Sequence, residues 1–260
     1  MVKIYSFDLD FSARPLFAPF PFVFDGVPAA GISCGISSRL AGDMVFSGDK
    51  PARPALFKAL NLAASRVYGL AQIHSRQVLA VDRLNPPAVP ADGMVSADRE
   101  TVLSVTAADC LPVYLFDTET GAFGLLHSGW KGTGIVTRAL ELMAGRWHTR
   151  PEAVAAVLGP CIDSCCYQVD EARAAAFAAE FGAVPPGLAA ADAALLKPVT
   201  RREGARWYLD LKAANIRLLA GAGVRNIAVC GGCTFTDDRL GSFRREGAAY
   251  TRMAALCGYY

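Results

Sequence analysis

Apolar residues fall into two rhythms along this chain. Residues 101–108 (TVLSVTAA), 113–117 (VYLFD) and 121–127 (GAFGLLH) form short apolar runs, the first two β-branched or aromatic, which predicts buried strands. AVAAVLG at 153–159 and NIAVC at 226–230 read the same way. Between them the period changes. Ile135, Ala139, Leu142 and Met143 recur at helical spacing, which predicts a helix over 132–147, and 170–181 predicts another. Asp210 caps a further helix carrying Leu211, Ala214, Leu218 and Leu219, with Gly221 and Gly223 at its end. Several strands follow one another without a helix between them. That order predicts a mixed sheet rather than a strict strand-helix-strand repeat. The loops at 84–92 (LNPPAVPAD) and 182–194 are short enough to sit inside one domain.

Composition narrows the class. Of 260 residues, 53% are hydrophobic, enough for one sizeable core. Net charge is +2, from 26 basic and 24 acidic residues with no long block of one sign. Nothing there calls for nucleic acid or an anionic membrane, while a basic pocket for a small anion stays compatible. Asp8, Asp10 and Arg14 interrupt the N-terminal region where a signal peptide needs an apolar run. No stretch of about 18 apolar residues exists. The chain is therefore expected in the cytoplasm, with its eight cysteines as thiols or metal ligands rather than disulfides.

The chemistry rests on few residues. There are three histidines, at 74, 127 and 148. His148, in WHTRP, falls at a predicted helix end, where a cation suits the helix dipole. His127 ends an apolar strand ahead of the glycine-rich SGWKG turn, and His74 sits in AQIHSRQV. Cys110 stands in TAADCLPV, where a strand stops against Asp109 and Pro112, shortly before the strand that delivers His127. A Cys and a His on neighbouring strand ends can act as nucleophile and base. They can equally bind zinc, with His74 as third ligand and a fourth position open. Core packing is the third reading, and spacing alone does not choose among them. Cys161, Cys165 and Cys166, with Cys230 and Cys233, read first as buried thiols and only secondarily as a second metal cluster. GWKGTG (129–134) has no P-loop spacing, yet its amides at a helix start, with Lys131, could hold a phosphate. In SFRREG at most one of the adjacent Arg244 and Arg245 need face a pocket.

The ordered motifs QIHSRQV, TAADCLPVYLFD, LLHSGWKGT, LGPCIDSCCYQV, YLDLKAANIRLL and SFRREG resemble the YfiH-like family over about residues 70–250. That family is also called the laccase-domain or multicopper polyphenol oxidase family, and is described as purine nucleoside phosphorylases. The resemblance implies one domain over 1–260, an α+β fold of layered mixed β-sheets flanked by helices. It implies zinc held by His74, Cys110 and His127, the catalytic centre. It also implies phosphorolysis of adenosine, inosine and S-methyl-5'-thioadenosine, with an adenosine deaminase side activity. On that reading the partners are purine nucleosides and phosphate, not nucleic acid or membrane. Lys131 and Arg244 are the candidates for phosphate, and Gln72 and Asp109 for substrate hydrogen bonds or proton transfer.

Two departures matter. The chain has Lys131 where the family has arginine, so a bidentate fork is lost. Residues 31–62 match poorly, which affects any role for Arg39 or Ser47. The laccase name also meets a physical limit. A type 1 copper plus a trinuclear cluster needs many histidines, and three cannot build it. Copper at the zinc site could still oxidise phenols slowly. The rival readings are a Cys-His hydrolase with Cys110 as nucleophile, a copper-dependent polyphenol oxidoreductase, and a non-catalytic metal or redox binding protein.

Overall fold

Strand Leu111–Asp117 shows how the layers arise, because both of its faces are apolar. Leu111, Val113 and Leu115 enter one core, while Tyr114 and Phe116 enter another. A strand projects successive side chains to opposite sides, so a continuous apolar run can only be buried between two layers. Strand Val154–Leu158 divides the same way, with Val154, Ala156 and Leu158 on one side and Ala155 and Val157 on the other.

The computed structural model describes residues 1–46, 52–186, 188–194 and 196–260. Its central sheet has seven strands, in the order 3–7, 226–230, 154–158, 111–117, 123–128, 93–96 and 78–80. The sheet is mixed. Asn226–Cys230 runs parallel to both Lys3–Phe7 and Val154–Leu158, whereas Leu111–Asp117 is antiparallel to both of its neighbours. One face is covered by helices α2 (Ile135–Trp147), α3 (Glu171–Phe181) and α5 (Leu211–Gly221); the other described helices are α1 (Ala52–Ala59), α4 (Ala190–Ala193) and the short α6 (Phe243–Glu246). On the opposite face lies a five-stranded sheet, ordered 17–20, 33–37, 253–258, 102–107 and 67–68. Its strands alternate as well. Met253, Ala255 and Cys257 face the central sheet, and Ala254 and Leu256 face α1 through Leu56 and Phe57. The order of layers is therefore helix, sheet, sheet, helices: a mixed α/β fold with several mixed sheets.

Most predicted elements appear where the pattern puts them, with instructive differences at the ends. Strands Val102–Ala107, Val154–Leu158 and Asn226–Cys230 match their runs. Asp170 and Asp210 cap α3 and α5 by accepting the amides of Arg173 and Ala213. The predicted helix 132–147 begins only at Ile135, because Gly134 takes φ 105° and closes a turn first. Pro112 does not stop a strand. It is the second residue of Leu111–Asp117, where its carbonyl accepts from the Gly159 amide and its missing N–H costs little. The 182–194 loop contains α4, whose Asp192 is buried and accepts the Val2 amide at 2.8 Å.

Candidate metal centre and active-site cleft

Cys110 is positioned where the chain crosses from one sheet to the other. Val102–Ala107 belongs to the five-stranded sheet and Leu111–Asp117 to the central one, so residues 108–110 must reverse in three steps. Asp109 makes the reversal with φ 84°, a left-handed conformation that costs a non-glycine residue of order 1–3 kcal/mol. Its carbonyl accepts the Ile162 amide at 3.0 Å, and two further contacts hold its side chain. The Thr234 hydroxyl donates to Asp109 Oδ1 at 2.6 Å, and the Arg244 amide donates to Oδ2 at 2.7 Å.

His127 lies on the neighbouring strand Phe123–Ser128, directly opposite Pro112 and thus beside Cys110. His74 arrives from a loop, with φ 59°. The three side chains place one imidazole nitrogen each and the Cys110 sulfur within 4.8 Å of one another. The two imidazole rings sit 4.9 Å apart, nearly perpendicular.

The group that assembles this trio is Asp92, which the sequence reading missed. It is fully buried. Its Oδ1 contacts His127 Nδ1 at 2.9 Å and accepts the His74 amide at 2.9 Å. Its Oδ2 accepts the Ser75 amide at 2.6 Å, the Ser75 hydroxyl at 2.8 Å and the Ile73 amide at 3.2 Å. One carboxylate thus fixes the loop that carries His74 and the ring orientation of His127. With Nδ1–H directed at Asp92, Nε2 is the nitrogen available to a metal.

Electrostatics follow from the geometry. Burial pushes the Asp92 carboxyl up, but the donors from His127 and Ser75 outweigh it and hold it at about 2. Burial likewise opposes ionisation of Cys110, yet His127 and His74 bring the thiol down to about 6. Burial lowers His127, but the Cys110 and Asp92 charges raise it to about 9. Without a metal, these opposed shifts favour the Cys110 thiolate beside a protonated His127. Gly129 permits the close approach, since a Cβ there would stand 2.8 Å from the Cys110 sulfur.

The trio floors a cleft of about 530 Å³, whose other walls include Phe46, Tyr250 and Arg252. The Arg252 guanidinium lies 4.8 Å from the Tyr250 ring and pairs with Asp43 at 2.8 and 2.9 Å. Other candidates fall at varying distances from this floor. Gln72 lines the cleft, but its amide is engaged with Thr106, accepting its N–H and hydroxyl and donating to its carbonyl. Asp109 is committed to Thr234 and Arg244 as above. Arg244 is exposed, with Nη1 donating to the Gln168 carbonyl at 3.0 Å and its guanidinium 5.6 Å from the Tyr167 ring. Lys131 is exposed beside Trp130 and borders a different depression, shared with Arg76 and Glu180. In the 129–134 turn, the Thr133 and Ile135 amides are used internally, by Gly129 and Gly132. His148 caps α2 away from the trio, as its helix-end position suggested. Arg39 is exposed near Glu246, and Ser47 lies outside the described residues. The thiols read as buried are so at 161, 230 and 233, but Cys165 is exposed and Cys166 half-buried.

Two imidazoles and a thiol at the bottom of a cleft, oriented by a buried carboxylate, define a candidate metal-centred site on a mixed α/β fold. The sequence model described as multi-copper polyphenol oxidoreductase laccase matches residues 48–259, and the chain belongs to that family. It is 36% identical over 235 residues to the purine nucleoside phosphorylase of Deinococcus radiodurans, covering 88% of this chain and 86% of that protein. A Mycobacterium tuberculosis protein of the same name is 34% identical over 223 residues, covering 83% and 82%. Among solved structures, YlmD from Geobacillus stearothermophilus superposes with a TM-score of 0.78 at 27% identity, covering 92% of this chain and 96% of that one. Bacillus licheniformis YfiH shares the fold at a TM-score of 0.75 and 23% identity, covering 88% and 93%.

Proposed function

We propose that this chain is a zinc-dependent purine nucleoside phosphorylase. Its substrates are adenosine, inosine and S-methyl-5'-thioadenosine, and adenosine deamination is a side activity. The observation that carries this reading is the His74–Cys110–His127 trio at the floor of the cleft. Two nitrogens and one thiolate sulfur fit zinc in a catalytic rather than structural role, since three protein ligands leave a position open. When bound, zinc supplies a Lewis acid at that position. Copper, which is favoured at N/S sites, would occupy the same ligands.

The protein groups have distinct tasks. Asp92 holds His127 in one tautomer, and Gly129 keeps the space above Cys110 clear. Phe46 and Tyr250 give the cleft an aromatic lining suited to a purine, and Arg252 is a cation in the same wall. Arg244 is the phosphate candidate, because among the described residues one donor of its five-donor fork is engaged, with Gln168. Its backbone amide holds Asp109, the neighbour of Cys110, and its guanidinium lies beside Tyr167. Burial pushes that phenol up, the nearby Cys110 charge adds to the rise, and Arg173 and Arg244 oppose it. Lys131, bordering another depression, serves phosphate at most from the rim.

A second reading has one observation in its favour. Cys110, His127 and Asp92 also form a nucleophile, base and orienting acid. A second imidazole, from His74, within reach of the same sulfur favours a metal instead. Incubation with inosine decides between phosphorolysis and hydrolysis. Hypoxanthine should appear only with phosphate present, together with ribose 1-phosphate, and free ribose at the same rate without phosphate would contradict the reading.

A further inference from the structure

The described residues hold a second set of soft donors, sharing no residue with the cleft. The sulfurs of Cys165, Cys166 and Cys233 all lie within 4.8 Å of one another. Cys165 Sγ is 3.4 Å from Cys166 Sγ and 3.7 Å from Cys233 Sγ. A disulfide would bring two of them to about 2.05 Å, so these are separate thiols. Around a zinc-sized ion at about 2.3 Å from each sulfur, tetrahedral geometry sets neighbouring sulfurs about 3.8 Å apart. The spacing present is close to that, before any ion draws the ligands in.

The backbone builds this arrangement rather than leaving it to chance. The turn at 163–167 is closed by the amides of Cys166 and Tyr167, both donating to the Asp163 carbonyl, and it turns two consecutive cysteines toward one point. Cys161 pairs with Cys233 in a short parallel bridge, and the Thr234 amide donates to the Cys161 carbonyl at 3.0 Å. The Cys233 sulfur accepts the Asp163 amide at 3.4 Å, which orients it toward the other two. Polar contacts brace the loop from its other side. Lys212, nearly buried, pairs with Asp163 at 2.7 Å and donates to the Gly232 carbonyl, and Arg201 donates to the Ser164 carbonyl. Thiols present only as packing material sit in the apolar interior, as Cys34 and Cys257 do, whereas Cys165 is exposed and gives an ion a way in.

We propose that Cys165, Cys166 and Cys233 form a three-thiolate site for a soft d10 cation, zinc or copper(I), distinct from the His74–Cys110–His127 centre. All-sulfur donor sets select such ions over hard ones. Bound there, the ion ties the 161–167 loop to the 230–237 loop. Thr234, next to Cys233, donates to Asp109, next to Cys110, so the ion would also brace the reversal that presents Cys110.

Cadmium, a zinc analogue whose thiolate complexes absorb in the ultraviolet, tests this on the full chain kept reduced. The wild-type protein should take up two equivalents, and Cys165→Ser, an exposed change that spares the core, should take up one. Cys110→Ser should also retain one, with thiolate-to-metal absorbance intact. That arm separates failure of this proposal from failure of the cleft reading. Equal uptake by wild type, Cys165→Ser and Cys233→Ser would overturn the proposal.

Discussion

Asp92 is the residue on which the centre depends. It is fully buried and does not line the cleft, yet it fixes the His127 ring and three consecutive amides of the His74 loop. Asp92→Asn keeps the shape and removes the charge, and outer-sphere partners of this kind contribute about 10- to 100-fold to metal affinity. Zinc affinity measured by chelator competition should fall by that factor, while His148→Ala should leave it unchanged. Cys110 gives a second check at this scale, in metal-free protein. The thiolate is the reactive form, and its value is lowered to about 6 from 9.0. Alkylation should therefore rise with pH through about 6 and level off above it, and His127→Ala should move that midpoint up. Added zinc should suppress the reaction. From the residues alone the trio stays open among metal site, nucleophile and packing, and it is the resemblance of the ordered motifs that implies it as a ligand set. Asp92 was not legible: in PADGM nothing distinguishes it from a solvated loop acid until His127 and the 73–75 amides close around it.

At the scale of elements, the strand-to-helix passage from Phe123 to Trp147 joins site to scaffold. The helix predicted over 132–147 starts three residues later, at Ile135, because Gly132 and Gly134 form a turn ahead of it. Gly132 packs 3.0 Å from the Ser75 carbonyl, measured from where its Cβ would be, and Gly129 stands over the Cys110 sulfur. Two glycine substitutions should then behave oppositely. Gly129→Ala forces a contact of 2.8 Å on Cys110 and should lower metal content with α2 still folded by circular dichroism. Gly145→Ala, inside α2 with open space around it, should raise stability by about 0.5–1 kcal/mol in a denaturant titration and leave metal content alone. Strand ends were harder to read at Pro112, since proline usually interrupts a sheet. Here its position at the head of the strand makes the lost donor tolerable.

At the scale of the molecule, the layer order explains why so many strands were legible and the site only in part. Strands buried on both faces are continuous apolar runs, which stand out from sequence alone. Which run belongs to which sheet does not, because that is fixed by pairing between residues as distant as Met253 and Ala107. The two sheets are joined by more than apolar contact. The Tyr114 hydroxyl, fully buried, donates to the Gly35 carbonyl at 2.9 Å. Tyr114→Phe strands that carbonyl and should cost about 1–3 kcal/mol of unfolding free energy without changing metal content. No helix among the described residues is long and apolar enough to cross a membrane, in line with the composition.

Phosphorolysis on this reading requires a metal held by the His74–Cys110–His127 trio. The direct measurement is metal content by elemental analysis, paired with phosphate-dependent hypoxanthine release from inosine, across wild type, His74→Ala, Cys110→Ala, His127→Ala and His148→Ala. Each of the three ligand variants should lose one equivalent of zinc and the activity together, while His148→Ala keeps both. Full metal content, or undiminished phosphorolysis, in the three ligand variants would contradict this reading.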